Sequence, residues 1–538
     1  MKKFLSLLLS ALLLITAIPL AGFTVSALDA TGQCGENVFW SFSNYTLTIS
    51  GEGEMYDYDE FESPFCNDSY IRYVVIEDGV TNVCDYAFYK CYYLSSITLP
   101  DTLIDIGDNA FEYSNIRTVV IPNNVTNIGN FAFAVCESLN SVTIGSSVIN
   151  IGECAFYYTA LTSVTIPANV TNIGKRAFSY SFKLTSVTIT NGVESIGDNA
   201  FEKCTALTSI TIPNSVKSIG EKAFYECNAL TSISIGNGVE SIGYSAFYNS
   251  PKLTSITVDK DNPNYYSEDN CLIIRENKTL LLGCNNGVIP DGVRCIFIYA
   301  FYKCTSVTKI SIPKSVEKIG DSAFLLCSSR ESITVDKDNP YYYSEGNCLI
   351  EKSSKTLILG CDNSVIPDGV KIIGDSAFES CTALTSVIIP DGVTIIDAYA
   401  FLHCSSLTSV IIPDSVKTIY RNVFTGANNL IIHCAADSVA VQYCEEYSIT
   451  YHTFNPWETI TAATCVSAGS KTRSCTSCDY TETAKIPVTD NHVDENTDGY
   501  CDLCSTELYS HEVEELTFFQ KIAQFFQKII EFFKNLFS

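Results

Sequence analysis

Cationic side chains, histidine and extended apolar runs are all scarce in this chain. Its 538 residues hold 33 Lys and Arg against 60 Asp and Glu, a formal net charge of −27. Nucleic acid is thereby excluded as a partner, because polyanion binding needs clustered lysine and arginine; the acidity serves solubility instead. Only five histidines occur, at 403, 433, 452, 492 and 511. None stands in a Ser-His-Asp or Cys-His setting, and His403 fills a position held elsewhere by Lys203 and Lys303, so no hydrolytic machinery is visible. Beyond residue 30 no apolar run is long enough to span a bilayer.

The opening stretch does carry an apolar run. "MKKFLSLLLSALLLITAIPLAGFTVSALDA" combines Lys2 and Lys3, a hydrophobic centre and Val25-Ser26-Ala27, which is the pattern of an export signal over residues 1–27. Phe23 stands where a lipoprotein signal would need cysteine, so no lipid anchor is expected there.

Self-similarity dominates the chain from about residue 70 onward. An Ala-Phe pair places phenylalanine at 88, 111, 133, 156, 178, 201, 224 and 247, then at 301, 324, 378, 401 and, after a valine, 424. Steps are 22 or 23 residues, except for two of 54, each one period plus an insertion of 31. A fixed period in this range signals a stacked-repeat architecture. Within "LTSVTIPANVTNIGKRAFSY" (161–180), Leu161, Val164 and Ile166 alternate as a short strand bounded by Pro167 and later Gly174. One such unit cannot enclose its own apolar side, so its neighbours must do so, giving a solenoid.

The unit L-T-S-V-T-I-P-x-x-V-T-x-I-G-x-x-A-F-x-x-C resembles the leucine-rich repeat of BspA-type bacterial surface proteins over roughly residues 30 to 452. That resemblance implies a repeat solenoid, a right-handed leucine-rich-repeat coil with a parallel β-sheet along one face and capped ends. It also implies display outside the cell for adhesion or binding, with no enzymatic activity. The expected organisation is an N-terminal β cap over 28–68 and the solenoid over 69–433, with insertions near 259–289 and 336–366. A C-terminal cap over 434–455, a small Cys-rich module over 456–510 and an amphipathic helix over 511–538 complete it.

Seventeen of the 24 cysteines fall into three groups. The first lies three residues beyond the repeat phenylalanine, at 91, 136, 204, 227, 304, 327, 381 and 404, where other units hold Ser114, Thr159, Ser181, Ser250 or Ala427. Such a slot wants a small buried residue. In the second group, Cys271 with Cys284 and Cys348 with Cys361 flank hairpin-like stretches; two-residue turns at Asn277-Lys278 and Ser354-Lys355 would set each pair opposite for a possible disulfide. Cys34 and Cys66 offer a similar tie near the start.

The third group is Cys465, Cys475, Cys478, Cys501 and Cys504, with His492 among them. Two C-x-x-C pairs suit the knuckles of a tetrahedral zinc site within 456–510. Two ligand sets are open, Cys475, Cys478, Cys501 and Cys504, or Cys465, Cys475, Cys478 and His492. A disulfide-stapled module is the rival. Asp494, Asn496, Asp498, Gly499 and Asp502 also imitate part of a calcium loop, but Ser505 stands where its bidentate glutamate belongs, which favours a polar turn.

At helical spacing, Phe518, Phe519, Ile522, Phe525, Phe526, Ile529, Phe533 and Leu536 share one face, while Lys521, Lys528 and Lys534 lie outside it. This is the pattern of a helix lying in a membrane surface or envelope component, docking on its own solenoid, or pairing with a copy of itself. Two further surfaces suggest recognition. One is a strip of outward serine and threonine, from Ser141 and Thr143 to Ser255 and Thr257; the other is the insertion tyrosines Tyr265, Tyr266, Tyr341, Tyr342 and Tyr343.

The expected function is that of a secreted or surface-displayed binding scaffold for extracellular protein or glycan ligands, and not of an enzyme. A coat protein without a specific ligand is the alternative. A polysaccharide-active enzyme would need a paired-carboxylate cleft, which a uniform solenoid does not offer.

Overall fold

A computed structural model describes residues 30–489 together with His492 and Cys501. The export signal, the calcium-like loop, Cys504 and the helical stretch 511–538 lie outside the described residues. The chain divides into two compact units. One holds residues up to Thr408 with Ser415–Asn429, and the other Ser409–Asp414 with the residues from Leu430 on.

The larger unit is a parallel-strand solenoid. Each coil lays down a strand such as Ser163–Ile166, which pairs parallel with Ser186–Ile189 so that Val164 meets Val187 and Ile166 meets Ile189. A second, two-residue strand comes after it, such as Asn172–Ile173, one rung of an eight-stranded sheet that runs from Asn82–Val83 to Ser241–Ile242. Because the register equals the sequence period, each residue type stacks on its own kind. Apolar side chains of both strands point inward and are buried, as the repeat pattern predicts. At the start, strands Ala30–Gln33, Val38–Ser43 and Thr46–Gly51 form an antiparallel sheet, and Thr46–Gly51 then pairs parallel with Tyr73–Ile76, the first rung of the array.

The Ala-Phe pair sits in the turn that closes the coil. Phe88 donates its amide to the Ala110 carbonyl at 2.8 Å, and the same bond recurs down the stack. From Phe65 to Phe247 the rings form one column with centroids 5.1 to 5.6 Å apart. Residues two before and two after the phenylalanine take a left-handed backbone. Arg176 (φ 55°) and Tyr180 (φ 62°) do so around Phe178, and their amides donate to Asp198 and Glu202 of the next coil. The glycine of the Ile-Gly step has a steric cause. A Cβ on Gly174 would stand 2.4 Å from the carbonyl oxygen of Gly152, so a side chain there would force a local shift, although Phe297, Asp397 and Tyr420 fill the slot in later coils.

The cysteine slot proves more specific than its size alone. Cys91 donates its thiol to the Phe65 carbonyl at 2.9 Å, and Cys136, Cys204, Cys227 and Cys404 repeat the bond to Phe111, Phe178, Phe201 and Phe378. Where serine occupies the slot, the Ser181 hydroxyl reaches the Phe156 carbonyl at 3.4 Å. In the cysteine coils the slot's side chain gives a buried carbonyl a second donor beside a backbone amide, whereas Ser250 Oγ has no partner and Ala427 offers no donor. Burial pushes these thiols up, Cys136 to about 12, which leaves them protonated and inert at neutral pH.

The insertions differ from expectation in two respects. In the first copy, Tyr265–Glu268, Cys271–Ile274 and Thr279–Leu282 form a three-stranded antiparallel meander. Its tight turn is Asp269-Asn270, with both residues at positive φ as a primed hairpin turn requires; Gly346-Asn347 does the same in the second copy. The Asn277-Lys278 connection is longer than two residues, since the strands stop at Ile274 and resume at Thr279, where the Asn277 side chain accepts the Thr279 amide. Nor is the insertion an appendage. Thr279–Leu282 pairs parallel with Cys295–Ile296, so the stretch supplies a coil of its own to the ladder. In that coil Gly283 takes the phenylalanine slot, donating its amide to Ala300, and Gly360 does so in the second copy. No disulfide is present among the described residues. Cys271 donates to the Val288 carbonyl and Cys284 to that of Asn270, bonds that each thiol satisfies separately.

The smaller unit pairs Ser409–Ile411, Ile431–Cys434 and Thr450–Thr453 in parallel, with the helix Val439–Tyr447 burying Ala440, Tyr443 and Cys444. Next along the chain is an antiparallel sheet of Glu458–Thr461, Gly469–Ser474 and Thr481–Ile486. Its Arg473 pairs with Glu482 at 2.7 Å and with Asp414 at 3.3 Å, and its guanidinium lies 4.3 Å from the rings of both Phe454 and Trp457.

Candidate functional site

Three places gather side chains whose packing does not account for them fully. On the strand face, Ser163, Thr165, Ser186, Thr188, Ser209 and Thr211 are exposed, in the alternation their slots predict. The neighbouring threonines are already engaged, for Thr185 donates to the Thr162 carbonyl at 2.9 Å and Thr231 to that of Thr208 at 2.9 Å.

The insertion tyrosines separate by strand alternation. Tyr265 and Tyr342 are buried, and their hydroxyls accept the amides of Ile242 and Ile319 at 3.1 Å. They fasten the meander to the ladder, and Tyr342 also lines the larger of two clefts beside the meanders. Tyr266 is half-buried under Arg275 and Lys278, and Tyr343 under Lys355, while Tyr341 is exposed.

Beside each meander the coil surface opens into a cleft. The first, about 200 Å³, is lined by Tyr244, Tyr248, Leu282, Phe297 and Tyr299. The second, about 690 Å³, carries Asp321, Glu351, Asp375 and Glu379, with Arg330 at its base. The array is thus uniform only between its insertions. Arg330 occupies the slot of the repeat leucine, that of Leu161 or Leu207, and is 3 % exposed. Its guanidinium donates to the carbonyls of Gly360, Cys327 and Glu379 at 2.6, 2.9 and 3.0 Å, so the buried charge is held by backbone dipoles around the missing ring. Burial raises the carboxyls of Asp375 and Glu379 above their ordinary range; the acid groups Asp397 and Asp321 add to the effect at Asp375, and Asp375 adds to it at Glu379. A carboxylate-rimmed cleft of this kind accepts hydrogen bonds from hydroxyl-rich or amide-bearing ligands. The sequence signal for it is the reading "RESI" at 330–333 where "LTSV" is the rule.

In the smaller unit the cysteines of the third group part company. His433 lies directly opposite His452 on adjacent parallel strands, and an isolated bridge from Phe454 to Cys475 brings the C-x-x-C turn onto them. The ligand atoms of His433, His452, Cys475 and Cys478 all lie within 4.8 Å of one another. Cys465, His492 and Cys501 form a second group under the same limit, with the two sulfurs 3.4 Å apart. Cys475 and Cys478 are therefore grouped with neither Cys501 nor His492. His433 and His452, unremarkable as isolated histidines, take their place. Burial and the neighbouring His452 lower the basicity of His433.

Comparison with known families matches the BspA type leucine rich repeat region over residues 61–185, 171–272, 282–349 and 358–462, well over half of the chain. The chain belongs to the BspA-type leucine-rich repeat family. No curated protein matches it. Among solved structures, this BspA-type chain is similar to a leucine-rich cell surface protein of Faecalibacterium prausnitzii A2-165, with 25% identity, coverage of 79% of this chain and 98% of that one, and a TM-score of 0.42. A leucine-rich repeat protein of Eubacterium ventriosum ATCC 27560 shares 22% identity over 74% of this chain and 95% of its own, with a TM-score of 0.37. The pneumococcal vaccine antigen PcpA shares 16% over 79% and 99%, with a TM-score of 0.40.

Proposed function

We propose that this BspA-type chain is a secreted, surface-displayed binding scaffold without catalytic activity, which takes extracellular protein or glycan ligands at the two clefts beside its meanders. The observation that carries this reading is the presence of one cleft beside each meander. The first is lined by the aromatic side chains Tyr244, Tyr248, Phe297 and Tyr299, and the second by the acidic Asp321, Glu351, Asp375 and Glu379. Aromatic faces and carboxylates in a concavity are the means by which preformed sites fix a ligand.

Binding of the secreted chain to a panel of glycans and extracellular-matrix proteins, compared with Tyr299→Ala and Asp375→Lys variants, tests the reading. Loss of binding in either variant with retained folding supports it. Equal binding by both variants, or turnover of a polysaccharide, overturns it. Regular self-assembly with no heterologous ligand favours the coat protein. Envelope attachment is assigned to the stretch 511–538; deleting residues 515–538 and fractionating cells should release the chain into the medium. Among the described residues no helix is long and apolar enough to cross a membrane.

A further inference from the structure

We infer that His433, His452, Cys475 and Cys478 bind one zinc-class divalent cation as a closed, four-ligand structural site. The set draws both imidazoles from the strands that end the repeat array and both sulfurs from the turn after Gly469–Ser474, all within the smaller unit.

Geometry is the first support. Tetrahedral coordination with sulfur at about 2.3 Å and nitrogen at about 2.0 Å sets neighbouring ligand atoms about 3.3 to 3.8 Å apart. Four donor atoms mutually within 4.8 Å need only small side-chain adjustments to reach that arrangement. The register produces it, because directly opposed residues of parallel strands share a face and the Phe454 to Cys475 bridge fixes the turn above that face.

An independent observation points to a ligand. Nδ1 of His433 and Nδ1 of His452 are buried and have no hydrogen-bond partner among the described residues, and His433 is only 6 % exposed. Buried polar nitrogens are almost always satisfied, and two unsatisfied ones facing two thiols call for a shared electrophile. A disulfide between Cys475 and Cys478 would leave both imidazoles as they are. A cation bound by all four residues satisfies them.

Within the turn, Ser477 donates its amide to Cys475 Sγ at 3.3 Å, an N–H···S bond of the kind that supports a metal-bound sulfur. Ile411, Phe454 and Tyr480 pack around the Cys475 side of the group, while Cys478 stands at the surface. With four protein ligands no coordination position remains for a substrate. The cation would clamp the antiparallel sheet onto the parallel strands of the same unit.

The experiment uses the full secreted chain carrying Cys465→Ser, which removes one member of the second group. Titration with Co(II) should give one equivalent with the visible spectrum of a tetrahedral two-sulfur, two-nitrogen site, displaced by zinc. His452→Gln or Cys478→Ser in that background should lower zinc affinity by at least tenfold, with unchanged far-ultraviolet circular dichroism from the repeats. Zinc should also protect Cys475 and Cys478 of the unmutated chain from alkylation, with a chelator restoring the reaction, a measurement independent of any variant. Undiminished binding by both variants, or a Cys475 to Cys478 disulfide in chain prepared with zinc present, would overturn the assignment.

Discussion

Between Phe88 and Phe247 the rings succeed one another without a gap, whereas beyond the first meander they come as a pair, Phe301 with Phe324, and a triple, Phe378 with Phe401 and Phe424. Both stretches are written with the same coil. The unbroken one buries its repeated apolar side chains and offers a regular exterior. The broken one gives up a ring twice, and a cleft lies beside each meander. Continuous core and open surface thus fall in different coils of one fold, and single substitutions can measure how far apart they stand.

The sharpest contrast should come from the rings. Phe178→Ala, between two stacked neighbours, is expected to cost about 3 to 5 kcal/mol in urea unfolding. Phe301→Ala should cost less by about 0.5 to 1.5 kcal/mol, since Phe301 stacks on Phe324 alone and meets Gly283 on its other side. Equal losses would mean that the column is no continuous element.

Next in size is the glycine that makes the gap. A Cβ on Gly283 would stand 2.1 Å from Phe301 Cε1, so Gly283→Ala should destabilise by about 1 to 3 kcal/mol and alter ligand binding at the adjacent cleft. Unchanged stability would show that the coil around the cleft yields easily.

The donor slot should respond more mildly. Cys204→Ala removes the bond to the Phe178 carbonyl and should cost about 1 kcal/mol, while Cys204→Ser, which keeps a donor as Ser181 does, should cost less. Were the two equal, size alone would explain the slot. The smallest effect concerns Val135, a β-branched residue held at φ 55°. Val135→Asn should raise stability by up to about 1 kcal/mol, read as a higher thermal midpoint, because asparagine tolerates the left-handed region.

The period, the paired strands and the phenylalanine column were legible in the sequence because they arise from neighbours one coil apart. The cysteine slot was half legible. Its tolerance of serine and threonine revealed size, but the carbonyl it serves belongs to the preceding turn and leaves no mark in the unit itself. Insertions looked like additions because nothing in "TLLLG" announces that Gly283 stands where a phenylalanine should. Tyr265 and Tyr266 are adjacent in sequence yet point to opposite faces, and only the register tells which one is buried. Arg330 did break the repeat visibly, and the replacement of a core leucine by a charge was the available clue to the second cleft. The pairing of His433 and His452 with Cys475 and Cys478 depends on which strands become neighbours beyond the last repeat. Residue spacing carries none of that information.

Gly283 and Gly360 sit at matching places in two near-identical blocks, each of which begins and ends on the same pair of ladder edges. Each block hands its last strand to the following rung in the same register, so adding or removing one block would change the number of meanders while the ladder on either side could still close.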